Sequence, residues 1–123
     1  MNQEEFAKRY TAIFEKTMLM SETARREGLL AIEELIDEEE FLQRDVFALG
    51  ITLVVDGTDA SMIDKILTNI INLEQDNDMK TLKNVQKEAV LSIQAGDNPR
   101  ILVLRLNSLV NIGIEEAMKR VIR

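Results

Sequence analysis

Along this chain, apolar residues recur three and four positions apart, the period of helices that bury one face. One proline and five glycines are the only strong breakers. The spacing predicts an all-α helical bundle of about five helices. The first begins near Gln3 and carries the stripe Phe6, Tyr10, Ile13, Thr17, Met20, Ala24, Gly28, Ala31, Leu35, so a long N-terminal helix unbroken to about Leu35 is expected. A second runs roughly from Glu38 to Val55 on Phe41, Leu42, Val46, Leu49 and Leu53, with Gly57 as its stop and Thr58 or Asp59 as the next N-cap. The third, about Ala60 to Glu74, presents Ile63, Ile66, Leu67, Ile70 and Ile71, and the fourth, about Met79 to Gln94, presents Leu82, Val85, Ala89 and Ile93. "AGDNP" separates it from the last helix, with Asp97 or Asn98 as cap and Pro99 at the first helical position, where its missing N–H costs nothing. That helix is expected to reach about Val121.

The last helix is apolar almost all round: Ile101, Leu102, Val103, Leu104, Leu106, Leu109, Val110, Ile112 and Ile114. A bilayer span needs roughly twenty apolar residues, and this run is shorter and broken by Arg105, Asn107 and Asn111, so burial within protein is the expectation and membrane insertion by this chain is not. At 123 residues the chain is expected to form one helical domain, 1–123, with residues 74–123 as a C-terminal helical hairpin. A helix unbroken from Gln3 to Leu35 would be roughly 50 Å long, against about 30–35 Å for a globule of this size. The overhang predicts a homo-oligomer, with a dimer favoured.

Composition then removes whole classes of chemistry. Without cysteine there are no disulfides or thiolate zinc sites, and without histidine the usual metal ligand and neutral-pH general base are missing. Fifteen basic against twenty-two acidic residues give a net charge of -7, which opposes binding to nucleic acid or anionic membranes. The N-terminal "MNQEEFAKRY" has no basic stretch leading into an apolar one, so a cytoplasmic location is expected. "EELIDEEE" could suggest a metal or acid–base pair, but helical di-metal sites add histidine in a Glu-x-x-His pattern. "VVDGTD" is like the start of aspartate-nucleophile phosphatases, which need a further aspartate where Val54 stands. Lys65, Lys80, Lys83 and Lys87 read as solubilising charges. A non-catalytic protein with no cofactor and no metal is expected.

Within "ARREGLLAIEE", Ala24, Gly28 and Ala31 lie at i, i+4 and i+7, a strip of small side chains that would let a second helix approach closely. A glycine inside a helix costs about 1 kcal/mol relative to alanine, so a helix crossing is the expected reason for it. Arg26 and Glu33, seven apart, would lie nearly one above the other with Arg25 to one side, and Arg25, Arg26, Glu33 and Glu34 are expected on the surface.

The strings "ETARREGLLAIEELID" and "LGITLVVDGTDASMIDKILTNII" resemble the cytoplasmic loop of MotA, the stator subunit of the bacterial flagellar motor, which groups with TolQ- and ExbB-type membrane proteins. In that family, segments close to "ARREGLLALE" and "LVVDGTDP" occur in the same order about twenty residues apart. The resemblance covers roughly residues 13–73 and makes them the stator-loop-like part of the chain. MotA proteins have two membrane helices on either side of this loop. Where the third of them would open, this chain has "AGDNPRILVLRLNSLV" without its glycines and threonine, so the resemblance implies a homologue without membrane helices and without a proton channel. It also implies a protein–protein interaction role. The arginine and glutamate matching Arg25 and Glu33 touch the rotor protein FliG in the family, and a partner such as FliG or another motor component is the corresponding expectation.

Overall fold

A computed structural model describes residues 1–111, and within them the chain is all-helical: six α-helices and one 3₁₀ helix rather than about five helices. They are α1 (Gln3–Glu27), the 3₁₀ helix (Leu29–Leu35), α2 (Glu38–Leu42), α3 (Val46–Val55), α4 (Ala60–Ile71), α5 (Asn77–Ala95) and α6 (Pro99–Asn107). The extra elements come from two breaks that the apolar period does not register. At Gly28 the backbone takes φ 95 and ψ 163, a conformation open in practice only to glycine, and the Gly28 N–H closes α1 on the Ala24 carbonyl. At Arg44 it takes φ 61, and Asp45 then caps α3 by accepting a hydrogen bond from the Ala48 N–H.

The long first helix is therefore corrected to one of 25 residues that ends at Glu27. Beyond Gly28 the chain folds back on it: Ile32 is fully buried, and Glu40 reaches Lys16 at 3.5 Å, while the Lys16 amine sits 5.3 Å from the centre of the Phe47 ring. A 25-residue helix is about 37 Å long, comparable with the globule. The overhang argument for an oligomer lapses with it.

Elsewhere the expected caps form. Asp59 caps α4 through the Ser61 N–H, and Asn98 caps α6 through Ile101 with Pro99 in the first turn; Asp76, for which the spacing gave no expectation, caps α5 through Met79. Gly57 and Gly96 supply the left-handed turns after α3 and α5. α5 occupies the centre and packs against α1, α3, α4 and α6. Its expected face, Leu82, Val85, Ala89 and Ile93, is buried, as are Ile63, Leu67 and Ile71 of α4 and Tyr10, Thr17 and Met20 of α1. Of the stripe assigned to the second helix, Val46 is buried and Phe41, Leu49 and Leu53 are half-buried, but after the break at Arg44 Phe47, Ile51 and Val54 go inside, while Leu42 is 71% exposed.

α3 meets α5 at Gly50, where an added Cβ would lie 2.7 and 2.9 Å from the two methyls of Val90. The glycine that allows a close helix crossing is thus Gly50. Gly28 has nothing within 4 Å of where a Cβ would stand, so the expected Ala24–Gly28–Ala31 packing strip is corrected to a glycine-dependent helix stop between two half-buried alanines. Up to Asn107 the final helix is firmly held: Leu102, Val103 and Leu106 are buried, and Arg105 bonds Glu88 and Asp97, each at 2.7 Å. The helix ends at Asn107 in a tightened turn in which Leu109 and Val110 donate to the carbonyls three residues back. Its expected continuation to Val121 falls mostly outside the described residues. Ile101 and Leu104 face outward, so α6 is apolar on more than its buried side. No helix among the described residues is long and apolar enough to cross a membrane.

Candidate functional site

The junction between α1 and the 3₁₀ helix gathers the residues that the sequence singles out. Arg25 and Arg26 occupy the last turn of α1, where the carbonyl end of the helix favours positive charge. Both are exposed. Arg26 reaches back to Glu22 at 3.7 Å on its own helix, a loose pair across water worth little. Glu33 and Glu34 stand beyond Gly28 on the 3₁₀ helix, also exposed, and no salt bridge joins them to the arginines among the described residues. The stacking of Arg26 over Glu33 is corrected, because a seven-residue spacing aligns side chains only along one continuous helix. Ala24 packs against the core and Ala31 is half-buried, which fixes the two sides of the junction.

Two features of this end of the molecule escape a reading by helical period. A 3₁₀ helix eclipses residues three apart, so Leu29, Ile32 and Leu35 share one line and Leu30 and Glu33 another. On the first line Ile32 is fully buried, while Leu29 and Leu35 to either side stay exposed. Leu30 on the second is 73% exposed, a large apolar side chain set in line with a carboxylate. The second feature is charge. Residues 27–43 contain seven carboxylates and no basic residue, while the rest of the chain holds equal numbers of acids and bases, so the whole net charge of -7 sits on this segment. Counting charge along the chain finds it directly. Of those seven carboxylates only Glu40 is salt-bridged among the described residues, to Lys16; Asp37 caps α2 through the Glu39 N–H.

Charged groups elsewhere serve the fold. Lys87 binds Asp64 at 2.7 Å and Thr68 at 3.0 Å, tying α5 to α4 and holding the Asp64 carboxyl below its ordinary pKa. Lys83 reaches Glu74 at 2.9 Å. Burial pushes the Asp97 carboxyl up, but hydrogen bonds from Arg105 and Ser92 outweigh it and hold it below its usual range. Tyr10 donates to the Asn107 side-chain oxygen at 2.5 Å, and burial pushes its phenol up to about 12. A groove of about 510 Å³ runs past Phe6, Ala7, Thr81 and Val110. Three of its polar side chains serve the fold: Asn2 accepts from the Glu5 N–H, the Thr81 hydroxyl donates to the Asn77 carbonyl, and Asp78 meets the N-terminal amine at 3.4 Å. No group of three or more side chains able to hold a metal ion occurs among the described residues.

Comparison of the chain with family models, curated proteins and solved structures finds no match in any of the three.

Proposed function

We propose that this protein is a non-catalytic protein–protein interaction module that presents the charged junction of α1 and the 3₁₀ helix to a partner. The observation that carries the reading is that Arg25, Arg26, Glu33 and Glu34 are all exposed beside a glycine-dependent helix stop, and that none of them joins one element to another among the described residues. Exposed charges of this kind steer association and discriminate partners more than they add to stability. The two sequence motifs resembling the MotA loop give the narrower form of the proposal: a cytoplasmic partner or assembly factor in the flagellar motor, binding a rotor protein such as FliG or another motor component.

The test is capture of rotor and stator proteins by the wild type, by Arg25→Glu and by Glu33→Lys. Both substitutions are exposed and should change stability by less than about 0.5 kcal/mol. Capture should weaken, with most of the loss in association rate, and a compensating reversal on the partner should restore it. Failure of the wild type to capture any motor protein would remove the motor assignment, and unchanged capture by both variants would remove the junction as the binding face.

A second reading, self-assembly, is favoured by Ile101 and Leu104, which lie one turn apart on the outer face of α6 and are each 42% exposed. Light scattering at micromolar concentration, repeated on Ile101→Ser with Leu104→Ser, separates an oligomer joined through α6 from a 14.0 kDa monomer.

A further inference from the structure

We propose that the groove lined by the start of α1, the start of α5 and the turn after α6 is the docking site for residues 112–123 of this same chain. Phe6 and Ala7 of α1, Thr81 of α5 and Val110 beyond α6 are half-buried and together line about 510 Å³ of space. That falls within the range of about 300–1,000 Å³ at which clefts hold a ligand, and it leaves room for several aliphatic side chains. Leu109, also on the lining, is 40% exposed, an apolar side chain that the described fold leaves uncovered. The groove shares no residue with the charged junction of α1 and the 3₁₀ helix, so the inference stands apart from the proposed interaction role.

Covalent connection identifies the occupant. The turn after Asn107 sets Val110 and Asn111 against the groove, and residue 112 follows directly from Asn111 on its edge. Beyond it, Ile114, Ala117, Met118, Val121 and Ile122 stand at i, i+3, i+4, i+7 and i+8, and Glu115, Glu116, Lys119, Arg120 and Arg123 fall outside that stripe. This is the pattern of a helix with one face to bury. A helix of that length is marginal by itself in water, so the stripe needs an apolar surface to lie on. A short tether holds it at the groove at an effective concentration in the millimolar range, which favours this surface over any free partner at micromolar concentration.

The experiment is thermal denaturation of the full chain followed by circular dichroism. Ile114→Ser with Val121→Ser should lower the melting temperature by at least about 3 °C, because serine removes apolar surface that docking buries. Made in Ala7→Lys, which sets a charge in the groove, the same pair should cost less than about 1 °C, since the two sites are then no longer coupled. Thr81→Lys serves as the groove variant if Ala7→Lys does not fold. In Ile101→Ser with Leu104→Ser the full loss should remain, and it should stay constant over a roughly hundredfold range of protein concentration. An unchanged melting temperature for Ile114→Ser with Val121→Ser overturns the proposal, because the segment then rests on nothing. A full loss that persists in the groove variant overturns it too, as does one that vanishes in Ile101→Ser with Leu104→Ser, which would seat the segment on the outer face of α6. A loss that grows with protein concentration would give the groove to the segment of a second copy and overturn the intramolecular docking.

Discussion

Substituting Gly50 by alanine sets two effects of known sign against each other. In an ordinary helix interior the change stabilises by about 1 kcal/mol, since alanine loses less backbone entropy than glycine. Here the new Cβ would lie 2.7 and 2.9 Å from the Val90 methyls and 3.1 Å from a methyl of Leu67, against the 3.5–4.0 Å or so at which carbon atoms rest. Val90 and Leu67 are both fully buried, and because both Val90 methyls face the intruding carbon, a simple rotation of its side chain gives no relief. α3 must then retreat from α5 by several tenths of an ångström. Overpacking of this kind costs about 1–3 kcal/mol, and with little room to relax the upper part of that range applies. The net expectation is a loss of about 1–2 kcal/mol, or a melting temperature lower by roughly 4–8 °C. Thermal denaturation followed by circular dichroism measures it. The same substitution made in Val90→Ala removes the opposing methyls, so there Gly50→Ala should be neutral or stabilising and the double-mutant cycle should show a coupling of about 1–2 kcal/mol. A higher melting temperature for Gly50→Ala in the wild-type background, or simple additivity with Val90→Ala, would refute the close-packed crossing.

Gly28 should behave in the opposite way: with open space around it and a backbone conformation reserved for glycine, Gly28→Ala and Gly28→Leu should each cost about 1–3 kcal/mol in chemical denaturation, independent of side-chain size, whereas a packing strip would penalise leucine far more. Tyr10 ionises at 10.0 in the unfolded chain and near 12 in the fold, so the unfolded state loses its proton first and stability should fall by on the order of 2 kcal/mol as pH rises from about 10 to 12. Tyr10→Phe should lack that alkaline slope in urea titrations, while losing about 1–3 kcal/mol at neutral pH because buried Asn107 is left without its hydrogen bond. Asp97 and Asp64 are held below their ordinary values by their cationic partners, so they contribute stability above the unfolded pKa of about 4 that is lost as pH falls through the lower folded values. Acid melting curves of Asp97→Asn should be correspondingly flatter.

The helical class, the core faces of α4 and α5 and two of the N-caps were legible in the sequence, because each depends on a local rule: apolar spacing sets the buried face, and a short side-chain oxygen before a helix satisfies its free amides. Asp59, Asn98 and Pro99 act as their sequence positions imply. The exposed charges at 25, 26, 33 and 34 were likewise readable by type. Local pattern could not reveal that the stripe from Phe6 to Leu35 belongs to two elements, since the apolar residues beyond Gly28 keep a spacing of three and four that suits a continuing helix as well as a 3₁₀ helix folded back on α1. Only burial of Ile32 in the core and the reach of Glu40 to Lys16 decide between them. The role of Gly28 was misread and that of Gly50 went unread for the same reason: both sit in apolar-periodic stretches, and the choice between a positive φ and a crowded crossing is made by what lies across the fold. The acidic composition of residues 27–43 is plain in the sequence, but tertiary structure alone decided that Leu30 and Leu42 stay exposed, because a side chain's exposure depends on which partners the rest of the chain brings to cover it.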